Sequence, residues 1–137
     1  MQKNVINFRT FLINVRTSNI NQHTKTMKIL TKAVLAAFAK QGDTSQKEAK
    51  DIKIVLKMFN PAGAGTWYLY EKLDEDIYMC FANLGDVEMA ECGTVSMSEM
   101  MSLRLPFGLH IERDMHFTPL SMSLQSVIDK VKSGGHV

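Results

Sequence analysis

Three strand-like segments follow one another in residues 51–84, and this run constrains the fold more than any other feature of the sequence. The first, residues 51–59 (DIKIVLKMF), alternates apolar with polar or charged side chains, which is the pattern of a strand with one buried face. The second, residues 66–72 (TWYLYEK), follows the turn-forming loop NPAGAG, and the third, residues 77–84 (IYMCFANL), follows an acidic turn. Strands joined by short turns predict an antiparallel meander.

Helix signals occur on both sides of the predicted meander. A helix is predicted over residues 26–41, which begin at a threonine suited to N-capping and are followed by Gly42. Ser96 and Glu99 have the spacing of a capping box that begins a second, methionine-rich helix. Residues 123–132 carry a narrow apolar stripe at helical spacing and precede two glycines, which predicts a third helix.

These segments together predict an α+β fold. We expect an antiparallel sheet of four or five strands, including a short strand at residues 91–95 (ECGTV), with two or three helices packed mainly on one face. The first and last helices are expected to share that face, and the middle helix to lie at an edge. Residues 27–137 are expected to form one domain, and residues 1–26, rich in Asn, Thr and Gln, a flexible or non-native extension.

Composition and cysteine spacing narrow the class of protein. Hydrophobic residues make up 45% of the 137 residues and charged residues 22%, as in an ordinary soluble domain. No run approaches the ~18 apolar residues of a membrane span, so no membrane partner is expected. Cys80 and Cys92 lack the spacing of a zinc motif and are interpreted as reduced thiols of a cytoplasmic protein. The NPAGAG loop lacks the ending of a phosphate-binding loop, and no cofactor is expected.

Charge is distributed unevenly along the chain. Residues 1–58 contain eleven Lys and Arg against three acids, a net charge of +8, whereas residues 59–137 have a net charge of −6. The basic half could bind nucleic acid or an acidic protein, or it could contact the acidic half of its own domain. For single-stranded nucleic acid, the candidate contacts are two lysines that point away from the core and two tyrosines expected on an exposed strand face: Lys53, Lys57, Tyr68 and Tyr70.

Residues 103–117 (LRLPFGLHIERDMHF) combine a chain turn with an alternating polar pattern. Pro106 and Gly108 predict a hinge between the methionine-rich helix and a following strand. Alternate residues of that strand offer two imidazoles and two carboxylates, which are ligand types suited to zinc or iron: His110, Glu112, Asp114 and His116. A flat strand would hold the two histidines roughly 20 Å apart, so a solvated polar face is the alternative interpretation.

The acidic residues around the hinge do not complete a known catalytic motif. Glu91, Glu99, Glu112 and Asp114 could supply general acid and base groups, but no nucleophile motif accompanies them. Neither a Gly-x-Ser-x-Gly nor an HExxH motif is present. A metal-dependent hydrolase using the four ligand-type residues of the hinge segment is therefore kept only as a second alternative, and an enzyme is not the expected class.

A resemblance to a known family rests on three stretches: residues 59–71 (FNPAGAGTWYLYE), residues 91–100 (ECGTVSMSEM) and residues 103–117, in which PFGL and ERD are the most specific pieces. The chain resembles the bacterial family called domain of unknown function 2958 over about residues 27–120. The resemblance implies proteins carried by plasmids, phages and integrative elements, and it implies no established activity. The residues that match the family's motif positions are Asn60, Gly63, Gly65, Trp67, Glu99, Arg104, Gly108, Glu112, Arg113 and Asp114.

The expected function is that of a small, non-catalytic cytoplasmic binding protein of a mobile element. Its expected partner is a host-encoded or element-encoded protein, and antagonism of a host defence system is one form that such binding could take. Single-stranded nucleic acid is the alternative partner, and a second copy of the chain is also considered. The expected protein-binding surface combines the hinge with the NPAGAG loop and comprises Asn60, Gly63, Gly65, Trp67, Arg104, Phe107, Gly108, Glu112, Arg113 and Asp114.

Overall fold

The computed structural model of the chain describes residues 29–135 and residue 137. Its strands are β1 (Leu56–Phe59), β2 (Thr66–Lys72), β3 (Ile77–Asn83), β4 (Glu91–Ser96) and β5 (Glu112–Arg113), and its helices are α1 (Lys32–Gln41), α2 (Met97–Ser102) and α3 (Leu124–Lys132). Short 3-10 turns lie at Ala49–Asp51, Val87–Met89 and Pro106–Gly108. The predicted α+β class with an antiparallel sheet is confirmed. The predicted extension and the predicted helix start at Thr26 lie outside the described residues.

The sheet has the strand order β4-β3-β2-β1-β5, and each neighbouring pair is antiparallel. β1 to β4 form the predicted meander, with Leu69 of β2 opposite Leu56 of β1 and Cys80 of β3. β5 returns to the other side of β1, where Arg113 lies opposite Met58. Within the described residues, β4 and β5 are therefore the two edge strands.

Helices cover both faces of this sheet. Alternate side chains of β2 enter two separate cores: Trp67 and Leu69 pack with α1 and α2 in the first core, whereas Tyr68 and Tyr70 pack with α3 in the second. α3 therefore lies on the face opposite to α1, which corrects the expectation that the first and last helices share a face. Residues 67–71 of β2 are all buried, so this strand is covered on both of its faces. A sheet with such a strand needs helices on each side, and α3 supplies the second layer.

α1 begins later than predicted and is fixed to the sheet at its end. Thr31 is the N-cap, and its Oγ1 accepts a hydrogen bond of 3.3 Å from the backbone N–H of Val34. Gly42 closes the helix with a φ of 65°, as the sequence predicted. The buried Gln41 amide donates from Nε2 to the carbonyls of Lys53 and Tyr70, both at 2.6 Å. Its Oε1 accepts from the Lys53 N–H at 2.9 Å, so one side chain joins α1 to two other segments.

The segment of residues 51–59 is a strand only in its second half. The Ile54 N–H donates to the Met122 carbonyl at 2.8 Å, and the Leu124 N–H donates to the Ile52 carbonyl at 2.7 Å. Ile52 and Ile54 thus lie in the second core, whereas Leu56 lies in the first, although all three have the same parity in the sequence. A single strand over the whole segment was therefore the wrong prediction, because pairing with a distant segment turns its first half towards α3.

α2 follows β4 directly and fills the first core. Ser96 is its N-cap and accepts a hydrogen bond of 3.2 Å from the Glu99 N–H, as the capping-box spacing predicted. Its buried residues are Met97, Met100 and Met101, so these methionines fill the core rather than forming a contact surface. None of the helices in the described part of the chain is long and apolar enough to cross a membrane.

Candidate protein-binding site

Two loops and the start of β5 lie at one end of the sheet, which we call the loop end. Because Thr66 pairs with Asn83, the β1–β2 loop (residues 60–65) and the β3–β4 connection (residues 84–90) are neighbours. Gly85 approaches the first loop so closely that a Cβ on it would lie 3.0 Å from the Cβ of the alanine at position 64. β5 begins at the same end, since its first residue pairs with the last residue of β1. The predicted proximity of the NPAGAG loop and the hinge segment therefore has a basis in the strand register.

The β1–β2 loop is held in shape by Asn60 and by the packing of Gly65. The Asn60 Oδ1 accepts from the Ala62 N–H at 2.8 Å, and its Nδ2 donates to the Ala64 carbonyl at 3.2 Å. Gly65 has a φ of 127°, and a Cβ on it would lie 2.8 Å from the ring of Trp67. Trp67 is fully buried. Asn60, Gly65 and Trp67 thus build the loop, and Trp67 is not part of an accessible surface.

The hinge is a tight turn that exposes one aromatic ring. The Leu105 N–H donates to the Leu109 carbonyl at 3.0 Å and closes the segment of residues 105–109, which we call the Phe107 turn. Phe107 itself has a φ of 63° and a ψ of 24°, and its side chain is 96% exposed. A left-handed conformation costs about 1–2 kcal/mol for a residue with a Cβ. The turn thus holds an unfavourable backbone conformation and presents a large apolar side chain to solvent.

Leu120 shows why the Phe107 conformation is unusual. Leu120 is the other non-glycine residue in the described chain with a positive φ, at 64°. Its side chain is partly buried against the first core, and its N–H donates to the Ile54 carbonyl at 2.8 Å. Packing and a backbone hydrogen bond therefore offset the strain at Leu120. No comparable burial offsets the strain at Phe107, and strain of that kind is concentrated at functional sites.

Arg113 of β5 and Asp114, the residue that follows it, both make contacts within the domain. Arg113 donates from Nη1 to the Thr31 Oγ1 at 3.5 Å, and Asp114 pairs with the Lys57 ammonium at 3.1 Å. Partial burial raises the pKa of Asp114, but a hydrogen bond from the His116 N–H and the Lys57 charge outweigh it, so the pKa lies below its ordinary value. Arg113 and Asp114 thus tie β5 to the domain, and their contacts are internal.

The residues of the predicted protein-binding surface therefore separate into two groups. The supporting group, whose contacts are internal, comprises Asn60, Gly65, Trp67, Arg113 and Asp114. The exposed group comprises Gly63, Arg104, Phe107, Gly108 and Glu112. Both groups were assigned to one predicted surface from the sequence and could not be separated, because turn propensity does not indicate whether a side chain is accessible.

The four hinge-segment residues with metal-ligating side chains are not brought together. The strand predicted to carry them is only Glu112–Arg113, and the chain then turns, with the His116 N–H donating to the Asp114 Oδ1 at 2.9 Å. Across residues 29–135 and 137, no three His, Cys, Asp or Glu side chains are placed to hold one metal ion. His110, Glu112, Asp114 and His116 thus do not form the ligand set considered from the sequence.

The tyrosines proposed to stack on nucleic acid bases lie in the second core. Tyr68 is 4% exposed and Tyr70 is fully buried, because α3 covers the face on which they were expected to be exposed. Burial, with a smaller contribution from Asp114, raises the pKa of Tyr68 to about 12. Lys57 is half-buried and bonded to Asp114, so of the proposed nucleic-acid contacts only Lys53 is exposed. The exposed tyrosine face predicted from the sequence is therefore absent from this sheet.

Sequence reasoning missed an apolar cleft beside β4. The cleft has a volume of about 230 Å³ and is lined by Ala82, Leu84, Asp86, Met89 and Glu91. Met89 is 74% exposed and Leu84 40% exposed. The available signal was the presence of apolar residues, Leu84 and Met89 among them, within the acidic segment LGDVEMAE (residues 84–91), a pattern that is weak without the third dimension.

A family model described as Protein of unknown function (DUF2958) matches residues 29–137. The chain belongs to this family. The match confirms the resemblance found in the sequence, and the DUF2958 region includes the whole described sheet, the Phe107 turn and the cleft beside β4. No curated protein and no solved structure matches the chain.

Proposed function

We propose that this DUF2958 protein is a non-catalytic binding protein that recognises a partner protein through the Phe107 turn. The observation that carries the proposal is the 96% exposure of Phe107 on a backbone with a φ of 63°. Selection for stability alone would favour glycine at such a position and a polar side chain at such exposure. A binding role accounts for both departures, because the turn holds the ring in a fixed position before the partner arrives.

Burial of Phe107 by a partner would contribute substantially to affinity. Removing a phenylalanine side chain from water is worth about 1.5–3 kcal/mol. Aromatic residues and arginine are enriched at protein interfaces, and Arg104 lies exposed three residues before Phe107. Glu112 is exposed at the start of β5, so charged groups of both signs are available around the aromatic anchor.

The thiols of the chain support a binding role over covalent catalysis. Cys80 is fully buried, and burial raises the pKa of its thiol. Burial likewise raises the pKa of Cys92. A nucleophilic cysteine needs access and a lowered pKa, and both cysteines have the opposite environment.

The setting of the protein is also part of the proposal. Two free, buried cysteines are typical of proteins that fold in a reducing compartment, which supports the cytoplasm. The family resemblance favours carriage on a mobile element, and hence a partner encoded by the element or its host. Inhibition of a host defence protein is one activity that an anchor of this kind could perform.

The experiment that tests the proposal compares two truncations of exposed apolar side chains, Phe107→Ala and Met115→Ala. Both positions are highly exposed, at 96% and 71%, so neither change is expected to alter the free energy of unfolding by more than ~0.5 kcal/mol. Each immobilised protein is incubated with lysate of its own host, with and without nuclease treatment, and retained proteins are quantified by mass spectrometry.

A stoichiometric partner is expected to be retained by the wild type and Met115→Ala and reduced at least about tenfold by Phe107→Ala. The proposal fails if every protein retained by the wild type is retained equally by Phe107→Ala. It also fails if capture disappears on nuclease treatment, since that outcome identifies nucleic acid as the ligand.

A further inference from the structure

In the described part of the chain, the outer edge of β4 has backbone groups that no other strand uses. The Met97 N–H donates to the Asp76 carbonyl at 2.8 Å, and this contact continues the β3–β4 register by one position. Hydrogen-bonded and non-bonded pairs alternate in an antiparallel ladder. The backbone groups of residues 95, 93 and 91, which lie two, four and six positions before Met97, therefore bond to β3. Cys92 and Thr94 lie between them and direct their N–H and C=O groups away from β3. Among the described residues, β4 has no sheet partner on that side.

The cleft described above lies at the beginning of this edge. Its apolar walls come from Ala82, Leu84 and Met89, and its two carboxylates are those of Asp86 and Glu91. Neither carboxylate forms an ion pair with any residue that the structure describes. Apolar walls with carboxylates match the aliphatic stem and charged head of a lysine or arginine side chain.

The β3–β4 connection, which forms part of the cleft wall, is held in place by a side chain of α3. Lys132 of α3 donates from Nζ to three carbonyls of the β3–β4 connection, those of Val87, Glu88 and Ala90, at 3.0, 3.3 and 2.7 Å. The Asp86 Oδ1 accepts from the Glu88 N–H at 3.0 Å. The connection is therefore preorganised, and the Lys132 ammonium is already engaged with carbonyl oxygens.

From these observations we infer that the outer edge of β4 binds an extended peptide segment of a partner protein, which adds as a sixth strand and places a lysine or arginine side chain in the adjacent cleft. Main-chain hydrogen bonds to Cys92 and Thr94 supply affinity, and the cleft supplies selection for a basic side chain. This surface is separate from the Phe107 turn, so either binding site can exist without the other.

The test selects peptides from a random library of ten-residue peptides displayed against the full chain. The enriched peptides are expected to carry a basic residue flanked by β-branched or apolar residues at alternate positions. One enriched peptide is then synthesised and its dissociation constant is measured with wild type and variants. The double change Asp86→Asn with Glu91→Gln is expected to weaken binding by about tenfold, whereas Glu75→Gln, a neutralised carboxylate in the β2–β3 turn, is expected to leave it unchanged.

Two further changes test strand addition itself. Thr94→Pro removes an N–H that the β3–β4 ladder does not use, and proline is tolerated at an edge strand in such a position. It is expected to abolish measurable binding of the peptide. N-methylation of alternate peptide amides is expected to do the same without altering the protein, so the test stands even if Thr94→Pro fails to fold.

The inference is overturned if the enriched peptides lack basic residues, or if N-methylation leaves affinity unchanged. It is also overturned if sedimentation shows that wild type self-associates through this edge and that Thr94→Pro yields monomers, because a second copy of the chain would then be the occupant. Peptides whose binding is lost in Phe107→Ala and retained in the Asp86 and Glu91 double variant would place the peptide site at the Phe107 turn instead.

Discussion

At the scale of single residues, backbone conformation and side-chain packing are coupled most tightly at Gly65 and Trp67. Trp67 is the one tryptophan of the chain and is fully buried in the first core. Its ring lies directly against Gly65, whose φ of 127° is outside the range that other residues adopt. The loop end therefore owes its shape to a glycine that leaves room for an aromatic ring.

Gly65→Ala is expected to lower the free energy of unfolding by about 2–4 kcal/mol. The added Cβ would lie 2.8 Å from the Trp67 ring, so the loop or the ring must move, and the backbone conformation would be strained in addition. Urea denaturation followed by the fluorescence of Trp67 measures the change and reports the environment of the ring directly.

Gly63→Ala in the same loop is the matched control. A Cβ at Gly63 would meet only the Asn60 Nδ2 at 3.7 Å, which is an ordinary contact, and Gly63 does not have a positive φ. Its free energy of unfolding is expected to stay within ~0.5 kcal/mol of wild type. Equal effects of the two changes would show that glycine content, and not the contact with Trp67, determines the stability of the loop.

Residue identity predicted conformation better than it predicted accessibility. The sequence PFG correctly indicated a turn, because Pro106 and Gly108 restrict or free the backbone in ways that depend on local chemistry. Whether Phe107 would be buried depends on which elements lie above the turn, and local sequence does not contain that information. Tyr68 and Tyr70 illustrate this, since the strand face on which they were expected to be exposed is covered by a helix from a distant part of the chain.

At the scale of elements, one buried side chain joins α1 to the rest of the domain. Gln41 makes hydrogen bonds to the backbone of Lys53 on one side and of Tyr70 on the other. Lys53 forms an antiparallel bridge with Ser123, the residue before α3, and precedes β1 in the chain. Tyr70 lies near the centre of β2. The side chain thus satisfies backbone groups that no strand partner reaches.

Gln41→Ala is expected to lower the free energy of unfolding by about 2–4 kcal/mol, because it leaves two carbonyls and one N–H without their buried partner. Lys40→Ala, on the exposed side of the same helical turn, is the control and is expected to have an effect within ~0.5 kcal/mol. Chemical denaturation measures both, with circular dichroism as the signal. A small effect of Gln41→Ala would mean that water replaces the amide and that the joint does not depend on this side chain.

Helices and strands were predicted correctly where capping and turn residues lie close to them in the sequence. They were misplaced where their hydrogen-bond partners lie far away in the sequence. The Ser96 cap, the Gly42 helix end and β2 to β4 all follow from residues within a few positions of one another. The first half of residues 51–59 is instead fixed by hydrogen bonds to residues 120–124, more than sixty positions away. The apolar stripe of α3 likewise did not determine which face of the sheet the helix covers. The nearly continuous apolar run of β3 is nevertheless typical of a strand that is covered on both faces.

At the scale of the whole molecule, the two cores share one sheet, and β5 closes the first of them. β5 is only two residues long, so its pairing with β1 is a weak attachment by itself. The Lys57 ammonium adds a bond to Asp114 and another, at 2.5 Å, to the Val137 carbonyl. One lysine in β1 thus ties the hinge segment and residue 137 to the centre of the molecule.

Asp114→Asn is expected to lower the free energy of unfolding by about 1 kcal/mol at pH 7, since the pair is only partly exposed, with side-chain exposures of 15% for Lys57 and 22% for Asp114. The pKa of Asp114 is lower in the folded chain than the ~3.9 of an unfolded aspartate. A lowered folded-state pKa contributes stability that is fully present above the unfolded pKa and is lost as the pH falls through the folded pKa. The difference between wild type and Asp114→Asn should therefore be constant from pH 7 to about pH 5 and shrink towards zero below pH 4.

Urea denaturation of both proteins at pH 7, 5, 4 and 3 measures this difference. Glu112→Gln changes an exposed neighbour in β5, whereas the Lys57 ion pair is to Asp114, so this variant is the control and should track wild type at each pH. A difference that persists unchanged at pH 3 would show that Asp114 acts through its hydrogen bonds to the backbone and not through its charge. Because the hinge segment carries the Phe107 turn and is attached through β5, a charge-dependent attachment would also make the position of the proposed anchor sensitive to acid.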